Sequence, residues 1–570
     1  MSNLFKIMAV ACISCLMNCN MQTKEIESIP TTFCNPIDIS YRFCLGQEDK
    51  DPSRREAADP VIVTFKGQYY LFASKSGGYW SSDDLATWAF IETDDLPLEK
   101  YAPGVFAIGD TIYYMGSSRS NYTLHKTTDP QSGNWELAAK DIGCGGWDPD
   151  FFLDDDKRLY MYWGSGSDTY IFGIELDYAN DFKCIGEPIA LFKPDRTNNG
   201  WERRGDNNED DSSGTYNEGA FMNKHNGKYY LQYATPGTQF KIYADGVYVA
   251  DNPLGPFVLQ AHNPISFKPG GYIPGAGHGS TFADKYGNYW HITSGVVRDK
   301  QAFERRLVMY PTFFDEEGVM YCNTKFGDYP MLLPQKKITK PDDFHPGWML
   351  LSYKKDVTVS SSLDEKVAEN MVDENIRTYW AAQSGESSEW ASIDLGEEYL
   401  VRAIQLNFAE HNAQLYGRVS GIKHRYSIDY SSDGKAWQSL VDQSKSETDN
   451  THNYFQLNAP VSCRYIRVNN KEVPGGSFAI SGLRVFGDGN EDHPGPSKIV
   501  SSRDKEDKCS VKLSWTKSEN AIGYHIKFGL SPDKLYNNVM VFDTTSYQLN
   551  CLNASEEYFF DIEPFNESSD

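Results

Sequence analysis

The sequence predicts an all-β chain, a five-bladed β-propeller followed by two β-sandwiches. Three observations predict it. A turn residue or charge followed by a Tyr-rich strand recurs five times in the first 330 residues. Helical 3.6-residue periodicity is nearly absent there, and the aromatic fraction, 14%, is high enough to favour strands.

The repeat reads KGQYYLF (Lys66 to Phe72), GDTIYYM (Gly109 to Met115), KRLYMYW (Lys157 to Trp163), NGKYYLQY (Asn226 to Tyr233) and YGNYWHI (Tyr286 to Ile292). The first aromatics, Tyr69, Tyr113, Tyr160, Tyr229 and Tyr289, are spaced by 44, 47, 69 and 60 residues. A Gly or Asp turn between apolar runs is a hairpin signal, and this period suits four-stranded blades. A second phrase, SSDDLATW (Ser81 to Trp88), TTDPQSGNW (Thr127 to Trp135) and ADNPLGPF (Ala250 to Phe257), supplies the outer hairpins. The long insertion Phe192 to Asn217, with acidic Asn207 to Asp211, reads as a solvated loop. LLPQKKITKPDDFHP reads as a linker and GDGNEDHPGP (Gly487 to Pro496) as another. The assigned units are residues 34–334, 350–487 and 497–570. The last contains VKLSW, YHIKFG and YFFDIEPFN, strands of a small sandwich that stops near its sixth. The linkers predict that the propeller, cut near residue 345, folds alone.

The 570 residues carry 54 Lys+Arg against 79 Asp+Glu, a net charge of −25 without any basic cluster. That excludes nucleic-acid binding as the main role. At the N-terminus, Lys6 and the apolar run Ile7 to Met17 are too short for a bilayer span and read as an export signal. The signal, residues 1–19, ends in LMNC and resembles that of a bacterial lipoprotein, with Cys19 acylated after cleavage; Cys15 is the weaker candidate. The expectation is a secreted outer-membrane or periplasmic lipoprotein, touching membrane only through that anchor. Of 11 cysteines, Cys34 with Cys44 and Cys509 with Cys551 are candidate disulfides. Isolated buried thiols fit these four equally well.

Three carboxylates stand where innermost strands begin: Asp59 in ADPV, Asp148 in WDPDFFLDDD and Glu218 in NEGAF. They precede their Tyr-rich strands by ten, twelve and eleven residues, and innermost strands line a propeller's channel. Like charges brought together there need chemical work to justify them. Any single Asp-Pro is equally a turn signal.

In combination these motifs, over Asp59 to Tyr329, resemble glycoside hydrolase family 43, five-bladed propellers acting on arabinose-, xylose- or galactose-containing glycans. The resemblance implies Asp59 as general base, Glu218 as general acid and Asp148 as the group that raises the acid's pKa, with Asp150 the runner-up. It implies an inverting reaction without a cofactor. His278 in GAGHGS matches the active-site histidine, as a substrate contact or beside a central cation; alone it would read as a core residue. Trp80 and Trp147 are candidate sugar-stacking walls, with core packing the competing reading.

AENMVDENIRTYWAAQSGESSEWASIDLG (Ala368 to Gly396) and SGLRVFG (Ser481 to Gly487) resemble a discoidin-type, coagulation-factor-like domain, often a carbohydrate-binding module. Asp373, Asn375 and Thr378 match its calcium loop, implying a structural Ca²⁺, although Gly482 stands where the family has an acid. The last region, with Trp515 and Tyr558, resembles fibronectin type III and reads as a spacer. The implied activity is exo-acting release of terminal α-L-arabinofuranosyl or β-D-xylosyl units from an oligo- or polysaccharide. β-D-galactofuranosyl or β-galactosyl substrates and a non-catalytic glycan-binding propeller are the alternatives.

Overall fold

A computed structural model describes residues 30–45, 52–97, 101–117 and 122–568. Cys19 and the export signal lie outside the described residues. The regular elements are strands and short 3-10 turns, and no helix among the described residues is long and apolar enough to cross a membrane.

Each Tyr-rich phrase forms the second strand of an antiparallel sheet: Gln68–Ser74, Thr111–Met115, Leu159–Trp163, Lys228–Thr235 and Tyr289–Val296. Each pairs with the strand just before it, namely Ala58–Phe65, Gly104–Ile108, Asp150–Leu153, Tyr216–His225 and Gly277–Ala283. The hairpin turns use left-handed backbone, as at Lys66-Gly67 (φ 50° and 81°) and Asn226-Gly227 (φ 48° and 78°). Both central residues at positive φ match the right-handed strand twist. Two further strands complete each sheet on its outer side, and the fourth sheet gains Gly166–Ser167 at its inner edge. The five first strands are neighbours in sequence order, and the fifth packs back on the first. They close a ring.

Residues 349–488 form an eight-stranded antiparallel assembly around two long strands, Trp390–Phe408 and His452–Glu472. Its core buries Trp380, Ile393, Ile404, Ile466 and Val485. Residues 499–565 form two three-stranded sheets, six strands in all. This last sandwich is not a spacer: Val511, Leu513 and Ile526 share one apolar core with Trp201, Tyr233 and Phe267 of the ring.

The linkers also differ from expectation. Phe344 packs edge-on against Trp290 inside the ring's core, and Met349–Leu350 pairs with Phe486–Gly487. Apolar Phe344, Trp348 and Met349, interleaved with the polar residues, bury what the polarity alone would leave in solvent. The acidic insertion is likewise anchored, because Trp201 and Glu202 are fully buried. Among the described residues a disulfide joins Cys144 to Cys184, with Cα atoms 6.4 Å apart. Cys34, Cys44, Cys509 and Cys551 are buried free thiols; the pairs inferred from sequence are not bonded.

Candidate active site

At the ring's centre, one left-handed residue lies at or near the start of each first strand: Asp59 (φ 51°), Ala102 (39°), Asp148 (58°), Gly219 (64°) and His278 (56°). The backbone turns sharply there and directs the adjoining side chains into the channel. Sheet pairing is interrupted at the same place, between Ala58 and Val61, Glu218 and Phe221, and Gly277 and Ser280. Glu218 is thus equivalent to Ala58 and Gly277, not to Asp59 and His278. The three carboxylates therefore converge without the common register their spacing suggests. Glycine is required at 219, because a Cβ there would lie 2.7 Å from His278 Cδ2.

Serines at or just beyond the ends of the second strands hold these carboxylates. Ser74 Oγ donates to Asp59 Oδ2 (2.6 Å), Ser117 Oγ to Asp148 Oδ1 (3.3 Å) and Ser165 Oγ to Glu218 Oε2 (3.0 Å). Tyr243 OH donates to Glu218 Oε1 (2.7 Å). Arg305 Nη1 donates to Asp59 Oδ1 (2.8 Å), and His278 Nδ1 lies 3.3 Å from that same oxygen. The backbone N–H groups of His278 and Gly279 grip Asp245 (2.7 and 2.8 Å), which fixes the histidine's strained turn.

The electrostatics divide the carboxylates into two kinds. Burial would raise the pKa of Asp59, but Arg305 and then His278 outweigh it and hold the group below the ordinary value. Asp148 is pushed up to about 7 by burial, by Glu218 and by Asp59, against the opposing pull of His278. Asp148, Glu218 and His278 present ligand atoms within 4.8 Å of one another. Two carboxylates this close repel one another when charged, which adds to the rise of Asp148. Burial would lower His278, but Asp59, Asp148 and Glu218 raise it. The same trio could close on a cation.

Above the carboxylates opens a cavity of about 300 Å³, walled by Tyr101, Trp147, Tyr216, Thr238 and Phe303. Trp147 is one of these walls. Trp80 is not: it is fully buried in the core, edge-on to Phe90. Asp150 is turned from this cavity, and its Oδ2 accepts from the Met222 N–H (2.8 Å). Arg305 and the serines escaped the sequence reading, although Glu-Arg-Arg opening an apolar strand (Glu304 to Tyr310) and a Ser closing four of the repeats are visible signals.

In the second unit, Asp373 accepts from Thr378 Oγ1 (2.6 Å) and the Asn375 N–H (3.1 Å). Glu374 is drawn off by Arg484 (2.9 and 2.8 Å). Calcium takes six to eight oxygens. One carboxylate whose oxygens are already engaged does not by itself fit that ion.

The family model for glycosyl hydrolases family 43 matches residues 53–320. A beta-xylosidase of Xylanibacter ruminicola is 30% identical over 257 residues, which are 36% of this chain and 78% of that relative. The chain belongs to glycosyl hydrolase family 43. It is a glycoside hydrolase. A xylosidase/arabinosidase of Bacteroides ovatus is 31% identical over 258 residues (42% of this chain, 66% of the relative). Beta-D-galactofuranosidase xynD of Aspergillus niger is 25% identical over 306 residues (46% and 80%). Residues 356–481 match the F5/8 type C, or discoidin, domain.

Proposed function

We propose that this family 43 hydrolase is an inverting exo-glycosidase releasing terminal α-L-arabinofuranosyl or β-D-xylosyl units from glycans. The observation that carries the reading is the split in protonation. Asp59 is held ionised by Arg305, whereas Asp148, packed beside Glu218, is pushed up to about 7. Carboxyl groups driven apart in this way mark a base and an acid. Asp59 then draws the proton from water as that water attacks the anomeric carbon. Glu218 delivers its proton to the departing glycosidic oxygen, and Asp148 keeps that proton in place. His278 neutralises part of the carboxylate charge and lines the sugar site. Trp147, Tyr101 and Phe303 offer ring faces to the sugar.

The relatives' names support the sugar class, and the galactofuranosidase among them makes β-D-galactofuranosides the second reading. The closed ring of five sheets supports a five-bladed propeller, and the six-strand unit a fibronectin type III-like fold. Residues 34–334, 350–487 and 497–570 are the corresponding domains. The Cys144–Cys184 disulfide supports an oxidising compartment and hence export of a lipoprotein anchored at Cys19. A panel of aryl furanosides and pyranosides tests the reading. Turnover of an arabinofuranoside or xyloside is expected; glycan binding without turnover of any member would contradict it.

A further inference from the structure

The seam between the ring and the discoidin domain begins within four residues of Asp59. Arg55 is fully buried in it. Its Nε donates to Glu410 Oε1 (2.6 Å), and Nη1 and Nη2 donate to the two oxygens of Asp449 (2.7 Å each). Glu410 and Asp449 belong to the discoidin domain. The next residue, Glu56, faces the opposite way and accepts from Arg305 Nη2 (2.5 Å), whose Nη1 holds Asp59. The neighbouring strand repeats the alternation. Arg305 points to the pocket, while Arg306 donates to Arg55 O (2.7 Å) and to His452 Nε2 of the discoidin domain (2.9 Å). Successive residues of extended chain face opposite sides, so the pocket and the seam are two faces of one pair of segments.

Glu410 reaches the pocket by a second path. Its Oε2 lies 3.8 Å from Lys300 Nζ. Lys300 belongs to the turn between Tyr289–Val296 and Arg305–Phe314, closed by the Lys300 N–H donating to Glu304 Oε2 (2.8 Å). The same turn carries Phe303, a wall of the cavity.

We propose that Glu410 is a positioning residue of the hydrolase site, acting through Arg55 on the segment that bears the base and through Lys300 on the Phe303 wall. The discoidin domain is then part of the catalytic unit, whatever glycan it also binds. This rests on Asp59 as the base. The two paths predict different kinetics, because one holds a reacting group and the other a binding wall.

The test uses the full chain and a soluble aryl glycoside, to which glycan tethering contributes nothing. Asp449→Asn loosens only the Arg55 path and is expected to lower kcat with KM held. Lys300→Met loosens only the wall and is expected to raise KM several-fold with kcat held. Glu410→Gln is expected to do both, losing roughly 10- to 100-fold in kcat/KM. Folded variants with wild-type kcat and KM, changed only in melting temperature, would overturn the proposal. If Glu410→Gln does not fold, the two single-path variants decide. Asp59→Ala serves as the reference. Its inactivity beside kinetically silent seam variants would sink only the positioning role, whereas its full activity would sink the base assignment and this inference together.

Discussion

Two buried charge clusters lie back to back in this molecule, and burial has opposite consequences in them. At the seam, Glu410 and Asp449 face Arg55, with Lys300, Arg306 and His424 nearby. Burial alone would push Glu410 up, yet Arg55 and then Lys300 bring it down to about 2. In the pocket, Asp59, Asp148 and Glu218 share Arg305 and His278, and Asp148 rises to about 7. The seam balances its charges and stays ionised, as a structural cluster does. The pocket has carboxylates in excess, and Asp148 is the one that rises. Burial raises both groups; cations outweigh it at Glu410 and do not at Asp148, which is what separates the clamp from the pocket.

The largest test of that contrast removes the base. Asp59→Ala should cost roughly 10²–10⁴-fold in kcat/KM on every substrate, since each needs the activated water. Glu218→Ala should be comparably severe on natural glycans but spare much of the turnover of aryl glycosides with acidic phenols. Equal losses on both substrate types would blur the base–acid distinction.

Removing the seam comes next. A chain ending near residue 345 strips Arg55 and Arg306 of their discoidin partners, and losing one side of a buried pair costs about 3–5 kcal/mol. Such a chain should be insoluble or melt well below the full protein. A stable, fully active propeller would show that the clamp is dispensable.

Protonation sharpens the comparison further. Asp148→Asn removes the raised carboxyl and one anion from beside Glu218, so the alkaline limb of the rate profile should move acidward. The folded-state pKa of Asp148 is raised, so its ionisation destabilises the fold progressively as pH climbs from about 3.8 through about 7. Asp148→Asn should therefore raise Tm at pH 8, with the gain fading toward pH 4. Glu410 has the opposite sign. Its depressed pKa stabilises the fold above about 4.5, and that contribution is lost as pH falls toward 2. Wild-type rate should thus titrate near neutrality while the seam fails only in acid. The smallest effect belongs to Gly219→Ala, which places a Cβ against His278 at a left-handed position and should cost about 1–3 kcal/mol of stability with partial loss of activity.

Much of this was legible in the chain. The Tyr-rich phrases became second strands because their alternation and turn residues are local signals. Asp59, Asp148 and His278 were legible because a repeated turn sits at each strand start. Glu218 was found, but its offset was not: Gly219 occupies the left-handed position, and spacing counted in residues cannot reveal which residue adopts it. Trp80 was misplaced because an aromatic in a strand suits a core and a sugar site equally. Arg305, 246 residues from Asp59, and Glu410, 355 from Arg55, were illegible. Their partners are set by how the sheets close and dock, and no local pattern records that.

The central claim is the division of labour between Asp59 and the Asp148–Glu218 pair, and the stereochemistry of the first-formed product tests it most directly. Proton NMR of an aryl glycoside being hydrolysed, recorded before mutarotation, should show the sugar released with inverted anomeric configuration. Retained configuration would contradict the account, because a retaining enzyme needs a nucleophile only about 5–5.5 Å from its acid and no water-activating base opposite it.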